Sequence, residues 1–364
     1  MKIAIVGCGA LGSFYGAKLA REGQEVHFLL RSDYETVRRQ GVSIRSPDGD
    51  FNARPRCGNT PEIIGVADLV LIGLKTTAND QFARLLPPLV GPRTAILTLQ
   101  NGLGNEERLA ALFPAEQILG GLCFVCLNRV APGVIQHIGH GAIVLGEFRR
   151  WPEPRTHDIA ALFRHAGVPC AVTDNLARAH WEKLTWNIPF NGLGVASCAG
   201  YEAVMSGRLP AREPATFNVQ HRTSNVQRSI PEARAGRLDV GCSMLNVECP
   251  DPAPGVNQRA NLDRCLTTGE LLRDPRWAEL VRALMREVIQ AARALGHNLP
   301  DSLADKQIER TIPMGDYKAS TLIDFERGQP LELESLFLEP LRQAARAGVA
   351  TPRLAALCEV LRRL

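Results

Sequence analysis

The stretch Lys2-Ile3-Ala4-Ile5-Val6-Gly7-Cys8-Gly9-Ala10-Leu11-Gly12 decides the fold. Lys2 to Val6 is apolar after its first residue and predicts a short buried strand. Ala10 to Glu22 predicts a helix, with apolar positions at Leu11, Tyr15 and Leu19 and polar ones at Lys18, Arg21 and Glu22. Between them, residues 7–12 fit G-x-G-x-x-G. Glycine is common, so the six-residue match alone is weak. A strand feeding a helix through this turn is the context that makes it a dinucleotide fingerprint. Gly7 permits the tight turn, and Gly9, with no Cβ, lets a pyrophosphate approach the backbone. Gly12 allows helix and strand to pack closely. Cys8, Ala10 and Leu11 complete the loop, and the free amides of the helix N-terminus face the phosphates.

Outward from this unit, strand and helix patterns alternate. Further strands are expected at Glu25–Leu30, Val42–Ser46, Asp50–Ala53, Asp68–Leu74, Thr94–Leu99, Ile118–Cys126, Gly133–Ile138, Ala142–Gly146 and Val168–Val172. Helices are expected at Asn79–Leu86, Asn105–Phe113 and Thr156–Ala166. The alternation predicts an α/β, Rossmann-type, doubly wound and mostly parallel sheet over residues 1–173. From Asp174 the pattern becomes helical. Asp174-Asn175 can cap a helix through His180, Lys183 and Asn187. Thr268–Leu295 reads as two helices broken near Asp274-Pro275, and more follow at Ser302–Arg310, Asp316–Arg327, Glu334–Arg346 and Pro352–Arg363. Residues 174–364 are therefore expected to form an all-helical second domain. Tyr201–Leu262 stands apart: it holds Pro210, Pro214, Pro231, Pro250, Pro252 and Pro254 and no sustained period. An irregular insertion, a disordered loop and a stretch absent from the mature protein all stay open.

A chain of 364 residues is too long for one typical core, so two domains are the default. The net charge of +4 is spread without a basic run, and nucleic acid is not suggested. The apolar runs are strand-length, so no membrane span is expected. The chain begins directly with a strand, so no signal peptide is readable. Ten irregularly placed cysteines, many in apolar segments, suit reduced thiols in a cytoplasm. Cys123 and Cys126 form a C-x-x-C inside a strand-like run without a second Cys/His pair at zinc spacing, so no metal is expected. The expected partner is a small molecule, with a homodimer as the candidate assembly.

Arg31 directly follows the second strand, where a Rossmann unit meets the adenosine ribose. An arginine there suits a 2′-phosphate and favours NADP(H). Asp33, two residues on, keeps NAD open. Lys75 and Asn101 follow strands at C-terminal edges, where open α/β sheets bind ligands. Lys183, Asn187 and Asn191 recur at i, i+4 and i+8 and share one helical face. An exposed polar stripe is the plainer alternative. Only six of the 42 basic residues are lysines, which singles out a lysine at such a position. Pro189 lies inside this helix and is expected to kink it and re-aim Asn191. Tyr317-Lys318-Ala319-Ser320 opens a helix with Asp324 one turn on, and Glu332 precedes another.

With these residues in view, the chain resembles the ketopantoate reductase family. The matching pieces are GCGALG at 7–12, Arg31, LK at 74–75, QNGLG at 100–104, EKLTWNIPFN at 182–191 and KASTLIDFERGQPLELE at 318–334. The terminal ARAGVATPRLAAL also looks like the family's ending. The resemblance implies NADPH-dependent reduction of 2-dehydropantoate to pantoate, on the route to pantothenate and coenzyme A. It implies that Lys183 is the general acid, that Asn187, Asn191 and Ser320 contact substrate, and that Asn101 touches cofactor and substrate. Glu332 would lie at the active site by the cofactor, and Arg31 and Lys75 match NADP-binding positions. Two departures stand out: the family has only a short connection where this chain carries 201–262, and several relatives have no proline between the two asparagines. A reductase of another 2-oxo acid or imine, and an NADP-binding protein impaired by the insertion, are the alternatives.

Overall fold

The structure, a computed structural model, describes residues 1–209 and 262–364. Ten strands form one sheet. They are β1 (Lys2–Val6), β2 (Glu25–Leu29), β3 (Val42–Arg45), β4 (Phe51–Ala53), β5 (Arg56–Gly58), β6 (Leu69–Ile72), β7 (Ala95–Thr98), β8 (Ile118–Ala131), β9 (Val134–Glu147) and β10 (Cys170–Val172). Their order is β4-β3-β9-β8-β7-β6-β1-β2-β5, with β10 against β9. The run from β8 through β7, β6, β1 and β2 to β5 is parallel. Among the described residues only β3–β4 and β8–β9 pair antiparallel.

Strand periodicity shows why this sheet is covered on both faces. Ile3 and Ile5 join Phe14, Tyr15 and Leu19 of the first helix in one buried cluster. Ala4 and Val6 point the other way, into a second cluster with Phe82, Leu86 and Leu109. The third cluster belongs to the helical portion and centres on Trp181, Leu184, Ile188, Leu284 and Leu357. Its spine is the long helix Leu176–Ala196, packed against Pro275–Ala294. Among the described residues no helix is long and apolar enough to cross a membrane.

The structure revises several expectations. The strands expected at Gly133–Ile138 and Ala142–Gly146 fall, apart from Gly133 in the turn, within one 14-residue strand, β9, which pairs with β8 as a long bulged hairpin. The glycines at 139, 141 and 146 weaken the local pattern, but the cross-strand ladder carries the chain through them. The strand Arg56–Gly58 and the helix Tyr34–Gln40 had no clear periodic signal. The helix expected at 316–327 starts only at Ser320. Upstream, the Tyr317 carbonyl accepts from Thr268 N and the Asp316 carboxylate from Arg273, which holds this segment out of the helix. The reading of 201–262 as irregular fails at its start. Tyr201–Ser206 is a helix with Ala203 and Val204 buried, and the Tyr201 ring meets Trp277 edge-on at 5.1 Å. At the other end Asp263 N donates to the Cys198 carbonyl at 2.8 Å. Residues 210–261 of that reading lie outside the described residues.

Candidate active site

The glycine turn is built as its sequence requires. Gly7 adopts φ +97°, and a Cβ there would lie 2.3 Å from Leu74 N. A Cβ on Gly12 would lie 2.3 Å from the Gly7 carbonyl oxygen and 3.1 Å from Ile5. Gly9 differs: a Cβ there meets nothing within 4 Å. It faces open space at the N-terminus of the helix Ala10–Arg21, where no side chain caps the amides. Close packing at the two outer glycines and an open, uncapped helix end at the middle one fit a dinucleotide pyrophosphate.

Beyond β2, Arg31 is exposed and makes no hydrogen bond or ion pair with any described residue. Asp33 is buried and already committed. It accepts from Arg129 Nε at 2.9 Å and from Gly133 N at 3.2 Å, tying the β8–β9 hairpin to the start of the helix Tyr34–Gln40. Burial would raise the Asp33 pKa, but the Arg129 and Gly133 bonds outweigh it and hold it below the usual carboxylate value. The carboxylate that kept NAD open at the sequence level is thus occupied, while the guanidinium is available.

Lys75 and Asn101 both lie past C-terminal strand ends, after β6 and β7. A buried amide network fixes the loop that carries Asn101. Gln100 Nε2 donates to Asn79 Oδ1 at 2.7 Å and to the Leu74 carbonyl at 3.0 Å. Asn79 Nδ2 donates to Asn105 Oδ1 at 2.8 Å, and Asn105 Nδ2 donates to the Asn101 carbonyl at 3.0 Å. Gly102 (φ +85°) passes so close to Ser335 that a Cβ would sit 2.3 Å from its carbonyl oxygen. Leu103 N then donates to that oxygen at 2.9 Å.

Onto this fixed loop comes the long helix. Asn175 caps it, its Oδ1 accepting from Arg178 N at 2.9 Å. Lys183 Nζ donates to Asn101 Oδ1 at 2.8 Å and lies 5.6 Å from the centre of the Phe124 ring. Phe124 is 45 % exposed despite its size. Burial pulls the Lys183 pKa below that of an ordinary lysine, opposed by Cys123 and Glu332. One helix, Leu176–Ala196, contains Pro189. Beyond it, Asn191 Oδ1 accepts from Thr321 N at 3.0 Å and from Ser320 Oγ at 3.3 Å, and its Nδ2 lies 3.5 Å from Asn187 Oδ1. Asn187, Asn191 and Ser320 thus form one polar row, with Asn191 satisfying the first turn of the helix Ser320–Glu326.

Glu332 is 4 % exposed. It accepts from Thr76 N at 2.8 Å and from Lys75 Nζ at 3.4 Å. Lys75 Nζ also donates to Asp324 Oδ2 at 2.8 Å. Desolvation pulls the Lys75 pKa down, but Glu332 and Asp324 outweigh it and raise it above the ordinary value. Beside Glu332, Thr76 Oγ1 is the single buried side-chain polar atom without a partner among the described residues. Cys123 and Cys126 are free and buried, and burial pushes the Cys123 thiol up to about 11.

Lys183 and Asn101 are thus brought into direct contact, as are Asn191 and Ser320, and Lys75 and Glu332. Asn79, Gln100, Asn105 and Ser335, which hold Asn101, carried no sequence signal as a group. They lie on separate segments and meet only in the fold. Asp324 was visible only as a residue one turn after Ser320.

Known proteins show the same arrangement of chain. The family model described as ketopantoate reductase PanE/ApbA matches residues 3–150, and its C-terminal companion matches residues 255–364. Together they span most of the sequence. The chain belongs to the ketopantoate reductase family. A curated 2-dehydropantoate 2-reductase from Nostoc is 34% identical over 371 residues, covering 99% of this chain and 94% of that protein. The crystal structure of 2-dehydropantoate 2-reductase from Geobacter metallireducens is similar at 41% identity and TM-score 0.79, covering 100% of this chain and 99% of that one. That of the Methylococcus capsulatus enzyme is similar at 30% identity and TM-score 0.76, covering 100% and 96%. The family's members make this chain an oxidoreductase.

Proposed function

We propose that this protein reduces 2-dehydropantoate (ketopantoate) to pantoate with NADPH, in the supply of pantothenate and coenzyme A. Residues 1–173 would bind the nucleotide and residues 174–364 the oxo acid. The observation that carries the reading is the Lys183 ammonium held 2.8 Å from Asn101 Oδ1 at the sheet edge that also bears the glycine turn. The full-length similarity to named 2-dehydropantoate 2-reductases supports it. The exposed Arg31, without a partner among the described residues, and the occupied Asp33 favour a 2′-phosphate, hence NADPH.

A reduced nicotinamide would supply the hydride. The chain's own residues supply the rest. Gly7 to Gly12 would hold the pyrophosphate, Arg31 the 2′-phosphate, and Lys75 a further polar group of the cofactor. As the C2 carbonyl is reduced, negative charge grows on its oxygen, and a fixed donor there lowers the barrier. Lys183 is such a donor: its ammonium meets the developing alkoxide and then transfers its proton. Its partial desolvation eases that transfer, because a lowered pKa makes a stronger acid. Asn101 orients the ammonium, and Asn187, Asn191 and Ser320 offer neutral hydrogen bonds to carboxylate and hydroxyl. Glu332 buttresses Lys75 and the Thr76 amide. NADPH oxidation measured over ketopantoate and a panel of other 2-oxo acids tests the reading. Clear preference for ketopantoate is expected, and equal or better turnover of another oxo acid contradicts it.

A further inference from the structure

Outside the site just described, one buried ionisable pair has no place in the proposed chemistry. His180 Nε2 lies 3.0 Å from Glu106 Oε1, and the two residues are 6 % and 4 % exposed. Glu106 stands five residues after Asn101, in the helix Asn105–Ala110, and His180 stands three residues before Lys183, in the long helix. The same two segments are therefore bridged twice, once by Lys183–Asn101 and once, a helical turn away, by His180–Glu106.

The fold has made room for this pair. A Cβ on Gly120 of β8 would lie 2.3 Å from Glu106 Oε1 and 2.7 Å from Leu176 Cδ2. Glycine at 120 is what allows the carboxylate and the start of the long helix to close on the strand. Both members of the pair line a cavity of about 460 Å³ that none of the site residues lines. Glu107 and Arg149 face the same cavity as an ion pair at 3.7 Å.

We propose that Glu106 and His180 are positioning residues for the proton donor: their bond fixes the long helix against the Asn101 loop and sets where the Lys183 ammonium stands. The inference rests on the reading of Lys183 as proton donor. An ammonium displaced by a fraction of an ångström from a fixed acceptor loses much of its effect on a developing charge. Removing one member of a buried hydrogen-bonded pair also strands the other, which pushes the helix to shift.

Two readouts on Glu106→Ala, Glu106→Gln and Glu107→Gln test this. The first is steady-state kinetics with NADPH and ketopantoate. Glu106→Ala is expected to lower kcat roughly ten- to hundredfold, the scale of a misplaced catalytic group, while leaving the KM for NADPH within about twofold. Glu106→Gln, which keeps an acceptor for the imidazole N–H, is expected to recover kcat to within about threefold. Glu107→Gln is expected to behave as wild type. The second readout needs no turnover: NMR titration of the six lysines labelled at Cε, with Lys183 assigned by substitution. In Glu106→Ala the Lys183 signal is expected to move and titrate nearer an ordinary lysine, while Lys75 stays put. An unmoved Lys183 signal with unchanged kcat in folded Glu106→Ala overturns the proposal. So does a loss shared equally by Glu106→Gln, or a shift of all lysine signals together. If the wild-type protein reduces no 2-oxo acid, the functional reading fails, and the NMR titration still decides whether the pair places Lys183.

Discussion

Lys183 faces two opposing demands. It must be charged to meet a developing alkoxide, yet its burial disfavours charge. Burial wins, so its pKa lies below the ordinary lysine value in spite of Cys123 and Glu332. Lowering means the proton is lost earlier as pH rises. The alkaline limb of kcat is therefore expected at lower pH than an unperturbed lysine, near ~10.4, would give. A pH profile of kcat checks this, and a rate flat through that region removes Lys183 as the titrating group. Arg31 makes a separate prediction. Its guanidinium has no partner among the described residues, so Arg31→Ala should cost only its bonds to the 2′-phosphate, roughly ten- to hundredfold in the KM for NADPH. The KM for NADH should barely move, and equal losses for both nucleotides would count against a 2′-phosphate role.

The element that organises the site is the helix Leu176–Ala196. Its i, i+4, i+8 row was legible in the sequence because helical spacing alone puts Lys183, Asn187 and Asn191 on one face. What each residue does there was not. Asn191 turns its Oδ1 to the backbone of the helix Ser320–Glu326 and so acts as a cap supplied from another element. Asn191→Ala is expected to cost about 1 kcal/mol, the scale of a lost helix cap, and to weaken oxo-acid binding by freeing Ser320. Denaturant melts and the substrate KM measure the two effects. The first βα unit was legible for the same local reason: tight turn, close approach and packing each demand glycine at a defined place. The β8–β9 hairpin was not, because its glycines break the period that a single strand would show, and only the cross-strand ladder joins its parts. Helix starts at Ser320 and Tyr201 were misjudged because tertiary bonds and packing, not local spacing, set them.

At the scale of the whole molecule, sheet and helical portions meet through polar bonds at the cleft. The Lys183–Asn101 bond is one. The bonds from Glu332 to Thr76 N and Lys75, some 256 residues apart in sequence, are another. Glu332 is buried, so removing it strands the Thr76 amide, while Lys75 keeps only its bond to Asp324. Glu332→Ala is expected to destabilise the fold by about 1–3 kcal/mol and lower turnover, read by thermal melts and kinetics together. No local pattern could reveal such a contact. Glu332 was visible only by its place before a helix and by resemblance, and Asp324 and the amide network around Asn101 depend on the same long-range meeting.

The most direct measurement is single-turnover NADPH oxidation with saturating ketopantoate, comparing wild type with Lys183→Ala. The wild-type protein should reduce ketopantoate, and Lys183→Ala should do so roughly 10²–10⁴-fold more slowly, the range of a lost general acid, with NADPH affinity nearly unchanged. A variant that reduces ketopantoate at the wild-type rate would contradict the role given to Lys183.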